Sequence, residues 1–214
     1  MSTESVTTAP ASNAGAASER ASLIHPAWVR VTHWINALAM LVMIGSGWRI
    51  YNASPLFPFE FPYGITLGRG LAGALLWHFA AMWLLVVNGV FYVSLGVLTG
   101  RFRRKLLPIR AREVASDLGA ALTGRLSHED LSVYNAVQKL LYAGVIGAGF
   151  VIVLSGLAIW KPVQFQELTA LFGGYDFARY VHFCAMAAIT GFLVVHVALA
   201  LIVPKSLRAM IRGC

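Results

Sequence analysis

The stretch VHFCAMAAITGFLVVHVALALIV, residues 181–203, decides the fold of this chain. It is apolar almost throughout, yet it carries two histidines, His182 and His196, fourteen residues apart. A run of this length meets the roughly 20 residues that an α-helix needs to cross a hydrocarbon core of about 30 Å. Ionisable side chains are costly inside such a core and mark a functional path or site by default. What the two imidazoles face therefore bears on both the architecture and the chemistry.

The rest of the chain follows the same plan. Of its 214 residues 58% are hydrophobic and 12% charged, against about a quarter charged in an ordinary soluble domain. Mean hydropathy is +0.69. Three more apolar segments precede the last one, which extends over 179–203: VTHWINALAMLVMIGSGWRI at 31–50, LAGALLWHFAAMWLLVVNGVFYVSLGVL at 71–98, and YNAVQKLLYAGVIGAGFVIVLSGLAIW at 134–160. Each is long enough to span and far too long for a barrel strand of about 9–11 residues. The fold class is all-α, an integral membrane four-helix bundle over residues 25–205. Residues 1–22 are small and polar and lack the basic and apolar regions of a signal peptide, so the tail over residues 1–24 reads as disordered. Residues 206–214 form a short basic tail.

A net charge of +8 does not point to nucleic acid, because the basic residues flank apolar runs. RFRRKLLPIRAR at 101–112, the C-terminal Lys205, Arg208 and Arg212, and the N-terminal Arg20 and Arg30 outnumber the Arg49, Arg69, Lys161 and Arg179 of the other side. By the positive-inside rule both termini and the central loop are cytoplasmic. The loops at about 51–70 and 161–178 then face the exterior, and the expected location is the bacterial inner membrane. Cys184 and Cys214 form no CxxCH haem-attachment motif, no disulfide framework and no zinc site.

Helix direction assigns a depth to each histidine. His33 opens the first span and His196 closes the last, so both lie near the cytoplasmic side. His78 and His182 lie towards the exterior. Fourteen residues separate the two levels by about 21 Å and return the two last-span imidazoles to within about 40° of one face. A histidine pair on facing helices suits bis-imidazole ligation of haem b, whose apolar macrocycle fits a bundle interior. The expected cofactors are two haem b groups, with axial pairs His33–His196 and His78–His182. A lone membrane histidine could instead serve helix packing or proton relay. Matched pairs at two depths favour ligation, and no carboxylate or thiolate completes a zinc or copper site. Cys184 lies two residues from His182, points about 200° away from it, and reads as core packing.

Arg30, three residues before His33, and Arg49 are candidates for haem propionate contacts, with Arg69 and Arg179 as further options for the outer group. Each also serves as a plain topology arginine. Gly45, Gly47, Gly73, Gly144, Gly147 and Gly149 permit close helix contact or make room for a flat macrocycle. Trp34, Trp48 and Trp77 fit interfacial belts. YNAVQK at 134–139 opens a span with polar atoms, which suits a helix cap and a membrane-surface anchor.

Together RVTHW at 30–34, WHF at 77–79, YNAVQK at 134–139 and the histidines fourteen apart resemble the bacterial di-haem cytochrome b561 superfamily. More narrowly, they resemble the b-type cytochrome subunits of nickel-iron hydrogenases and formate dehydrogenases, over about residues 25–205. The resemblance implies the same two-haem pairing and a quinone substrate at the cytoplasmic side. It carries the quinone contact to Asn135, with Gln138 one turn on and His196 nearby. Val137 stands where the formate dehydrogenase subunits have glycine. The implied function is electron transfer between a periplasmic redox partner and the membrane quinone pool. A self-contained superoxide:quinone oxidoreductase is the alternative, kept open by the four basic residues on the outer side. The pattern leaves a homo-oligomer open and does not name the electron donor.

Overall fold

The computed structural model describes residues 25–123 and 134–213. The N-terminal tail, His128 and Cys214 lie outside the described residues. Eight α-helices are described in chain order: α1 Ala27–Ala53, α2 Leu71–Leu98, α3 Arg101–Leu106, α4 Ala111–Leu122, α5 Ala136–Trp160, α6 Gln166–Leu171, α7 Tyr175–Ile202 and α8 Pro204–Arg212. A short 3-10 turn, Tyr63–Ile65, lies between α1 and α2, and no strand occurs among the described residues. Helices α1, α2, α5 and α7 are each long and apolar enough to cross a membrane. Two begin four residues before the expected starts at 31 and 179. Arg30 and Arg179 sit inside the first turns of α1 and α7, and long basic side chains reach back to the interface from such positions.

The four spans pack as two antiparallel hairpins, α1 with α2 and α5 with α7, and no other two spans approach as closely. The seams are made of small residues. In α1 the buried positions include Thr32, Ala39 and Ser46, and in α2 they are Ala74, Ala81, Asn88 and Gly96. The seven-residue spacing of Thr32, Ala39 and Ser46 and of Ala74, Ala81 and Asn88 keeps one seam facing its partner. In lipid, where apolar burial drives nothing, close backbone approach and interhelical hydrogen bonds hold helices together. Asn88 supplies two such bonds: its Nδ2 donates to the Thr32 carbonyl at 2.8 Å and to Asn36 Oδ1 at 2.7 Å.

Both ends are tied. At one end the start of α1 meets α8, where Arg30 Nη1 donates to the Ile211 carbonyl at 2.9 Å. Pro204 at the first turn ends α7 and starts α8, since proline fits only a first turn. The central loop that begins with the basic run contains α3 and α4. Asp117 of α4 accepts from the Ala136 backbone N–H at 2.7 Å, placing a carboxylate at the positive end of α5. At the other end Asn52 brackets Phe61, accepting from its N–H at 2.9 Å and donating to its carbonyl at 2.8 Å. There Tyr51, Phe57, Phe59, Phe61 and Phe183 form one ring cluster.

Candidate functional site

All four expected histidines are half-buried and point into the bundle. His33 of α1 and His196 of α7 face each other across the two hairpins, ring centroids 6.0 Å apart and planes at 63°. Two metal–imidazole bonds of about 2 Å, with about 1.1 Å from each nitrogen to its ring centre, predict a separation of about 6 Å for a metal held between them. His78 of α2 lies within electrostatic reach of His182 of α7, so the second pair also bridges the hairpins. Each pair thus straddles the part of the bundle where the spans keep apart, which is where a flat macrocycle fits.

The donor set agrees with that occupant. Among the described residues no group of three or more His, Cys, Asp or Glu side chains forms a metal cluster. Two imidazoles are insufficient for a structural zinc or copper site but sufficient for the axial positions of a haem. Arg30 Nε is buried without a hydrogen-bond partner. One helical turn from His33, it is a donor that a haem propionate would satisfy. Gly144, Gly147 and Gly149 border open space rather than a neighbouring helix, whereas Gly45 packs against Leu67.

The sequence did not single out the groups behind two of the imidazoles. Ser46 Oγ lies 3.0 Å from His78 Nδ1, and Ser155 Oγ lies 3.1 Å from His182 Nδ1. Both serines are 0% exposed. Each bond runs within a hairpin, α1 to α2 and α5 to α7, at right angles to the logic of the ligand pairs. A recurring hexapeptide, SGWRIY at 46–51 and SGLAIW at 155–160, was the available signal.

His33 and His196 have ring neighbours instead. Trp34 meets His33 edge-on at 5.4 Å, and Phe192 stacks on His196 at 5.5 Å and 13°. From Phe192 the rings continue to Tyr142 at 6.4 Å and then to Tyr134 at 5.1 Å, at the start of α5. There Asn135 and Gln138 cap the helix reciprocally: Asn135 Oδ1 accepts from Gln138 N at 2.8 Å, and Gln138 Oε1 accepts from Asn135 N at 3.2 Å. The cap uses both carboxamide oxygens and leaves the two NH2 groups as donors.

The remaining expected contacts go elsewhere. Arg49 Nη2 donates to the Arg69 carbonyl at 3.0 Å, and its guanidinium lies 4.1 Å over the Tyr63 ring. Arg179 Nη2 donates to the Ser54 carbonyl at 2.6 Å. These arginines staple the loop that follows α1. Cys184, expected as core packing, is exposed and lines a shallow apolar groove with Tyr180 and Val151.

Paired imidazoles set across the separated hairpins of a membrane bundle define a class: haem-carrying electron-transfer proteins of the membrane. The family model described as prokaryotic cytochrome b561 matches residues 24–213, and this chain belongs to that family. It is also 54% identical, over 190 residues, to a putative protein-methionine-sulfoxide reductase subunit, YedZ1 of Azospira oryzae. That alignment covers 89% of this chain and 96% of the relative. The chain is therefore a bacterial integral membrane protein that binds haem b and carries electrons.

Proposed function

We propose that this chain carries two haem b groups and moves electrons from a membrane quinol at the end bearing α3 and α8 to a periplasmic oxidoreductase at the opposite end. That partner reduces methionine sulfoxide in proteins. The carrying observation is the His33–His196 pair with ring centroids 6.0 Å apart; His78 and His182 lie within electrostatic reach of each other at the other depth. The bound haems supply reversible one-electron transfer.

The chain's own residues do the rest. Each imidazole pair would hold an iron from opposite hairpins, and Arg30 Nε would donate to a propionate. The free carboxamide NH2 groups of Asn135 and Gln138 are donors of the kind a quinone carbonyl accepts, and the rings from Tyr134 to His196 join that point to the first histidine level. The concentration of basic residues around α3 and α8 supports a cytoplasmic location for this end, in the inner membrane. The sulfoxide-reducing partner is suggested by the relative's role, and the stoichiometry balances. Oxidation of one quinol releases two electrons and two protons, and reduction of one sulfoxide consumes two of each to give the thioether and water. Direct reaction with superoxide has less support, because Arg49 and Arg179 are turned onto loop backbone rather than gathered around an opening.

The test uses the full chain purified in detergent. A pyridine haemochrome assay is expected to give close to two b haems per chain, both reducible by a short-chain quinol. Reoxidation is expected to require methionine sulfoxide together with a periplasmic protein fraction. One haem or none would overturn the two-level arrangement, and haems that quinol leaves oxidised would overturn the quinol assignment.

A further inference from the structure

The two Ser–His contacts have a fixed polarity. A serine hydroxyl has one proton. Ser46 Oγ lies 2.6 Å from the Val42 carbonyl and 3.2 Å from that of Met43, against 3.0 Å from His78 Nδ1. Ser155 repeats the arrangement, with 2.7 Å to the Val151 carbonyl, 3.2 Å to Ile152 and 3.1 Å to His182 Nδ1. A carbonyl only accepts, so the short contact takes the hydroxyl proton. The oxygen that remains faces the ring as an acceptor, which requires the proton on Nδ1. With Nδ1 protonated, Nε2 bears the lone pair.

The neighbouring glycines complete the seat. A Cβ at Gly47 would lie 3.5 Å from His78 Cε1, and one at Gly156 would lie 3.2 Å from His182 Cε1. The sequence Ser-Gly thus offers a hydroxyl to the ring nitrogen and clears the ring's edge in consecutive residues, once per hairpin. Among the described residues, no such serine serves His33 or His196, which have the ring contacts of Trp34 and Phe192.

We propose that Ser46 and Ser155 are positioning residues that hold His78 and His182 in the Nδ1–H tautomer, aim Nε2 at the iron between them, and lower the reduction potential of that haem alone. The inference rests on the two-haem reading above. A ligand imidazole that donates its second N–H becomes more basic, which favours the ferric state. The two haems are thereby made unequal by the protein rather than by their position in the membrane.

The test compares Ser46→Ala, Ser155→Ala and the double variant with wild type, in the detergent-purified full chain. Redox titration followed by the visible bands, and the low-spin ferric electron paramagnetic resonance signals, resolve the two haems. One haem is expected to shift to higher potential and change its signal, more in the double variant, while the other keeps both. Ser→Cys variants keep the side chain's size with a weak acceptor and are expected to behave as the alanines. Ser→Thr variants keep the hydroxyl and are expected to restore wild-type values. If an alanine variant loses the haem outright, recovery with threonine but not cysteine supports the proposal, and recovery with cysteine overturns it. Unchanged potentials and signals, or equal shifts of both haems, also overturn it. Wild-type protein lacking the second haem would instead defeat the two-haem reading, so the two failures are distinguishable.

Discussion

The two histidine levels are built differently. At the level of His78 and His182, each imidazole is hydrogen-bonded to a buried serine on the other helix of its own hairpin. At the level of His33 and His196, the rings are held by aromatic contacts, and the nearby polar groups are cations: Arg30, and beyond it Arg101 beside His25. A hydrogen bond from a sealed hydroxyl fixes which nitrogen carries the proton. A stacked ring fixes the plane and leaves the nitrogen to its metal. The first level is set from within the fold, and the second is open to the charge of the adjacent surface.

The largest expected effect separates the levels outright. His182→Ala is expected to remove the haem of the serine-supported level and His196→Ala that of the aromatic level, each leaving about one of two haems in the pyridine haemochrome assay. The two residual spectra should differ, since each reports the haem the other variant lacks. Identical residual spectra would mean that both histidines serve one site, and the comparison would collapse.

That α7 serves both levels was legible in the sequence, because a fourteen-residue spacing on a helix of 3.6 residues per turn leaves little freedom in where the rings go. The spans were legible for the same kind of reason: length and hydropathy are local properties, and they placed all four helices with errors of a few residues at α1 and α7. Ser46 and Ser155 were not legible as functional groups. A small polar residue in a membrane helix has the same appearance whether it packs or bonds, and only its neighbour on another helix distinguishes the two. The Asn135–Gln138 pair shows the converse. Its cap was anticipated from residue type alone and is present, while a quinone contact depends on a molecule that local sequence does not encode. Arg49 and Arg179 illustrate a third limit, because long side chains choose among several acceptors and here take loop carbonyls.

A smaller effect sharpens the serine-supported level by splitting its two seats. Gly47→Ala and Gly156→Ala are the same change in the same motif, and alanine gains about 1 kcal/mol of helix propensity at either. At Gly47 the new methyl meets His78 at 3.5 Å, an ordinary contact, whereas at Gly156 it meets His182 at 3.2 Å and the ring must yield. Overpacking of this kind costs about 1–3 kcal/mol. Gly47→Ala is expected to melt at or above the wild-type temperature in detergent, and Gly156→Ala below it with an altered haem spectrum. Equal melting temperatures would mean that His182 has slack in its seat, and the motif would then lose its claim to position the ring.

The smallest effect belongs to the other end, where charge takes the place of hydroxyls. His25 precedes α1, and Arg101 Nη2 donates to its Nδ1 at 3.3 Å. Burial, followed by the positive charges of Arg101 and Lys105 and by His33 and Arg30, lowers its pKa from 6.5 to about 4. Since its folded value is the lower one, the unfolded chain binds a proton that the folded chain refuses as pH falls from 6.5 towards 4. The folded state therefore loses stability on acidification through that window and regains it as pH rises. His25→Gln keeps an acceptor for Arg101 and removes the titration. Its melting temperature is expected to fall less than that of wild type between pH 7 and pH 5, with the two proteins close at pH 7. Parallel pH profiles would show that the cationic surface does not reach His25, and the contrast between a hydroxyl-set level and a charge-set level would lose its second half.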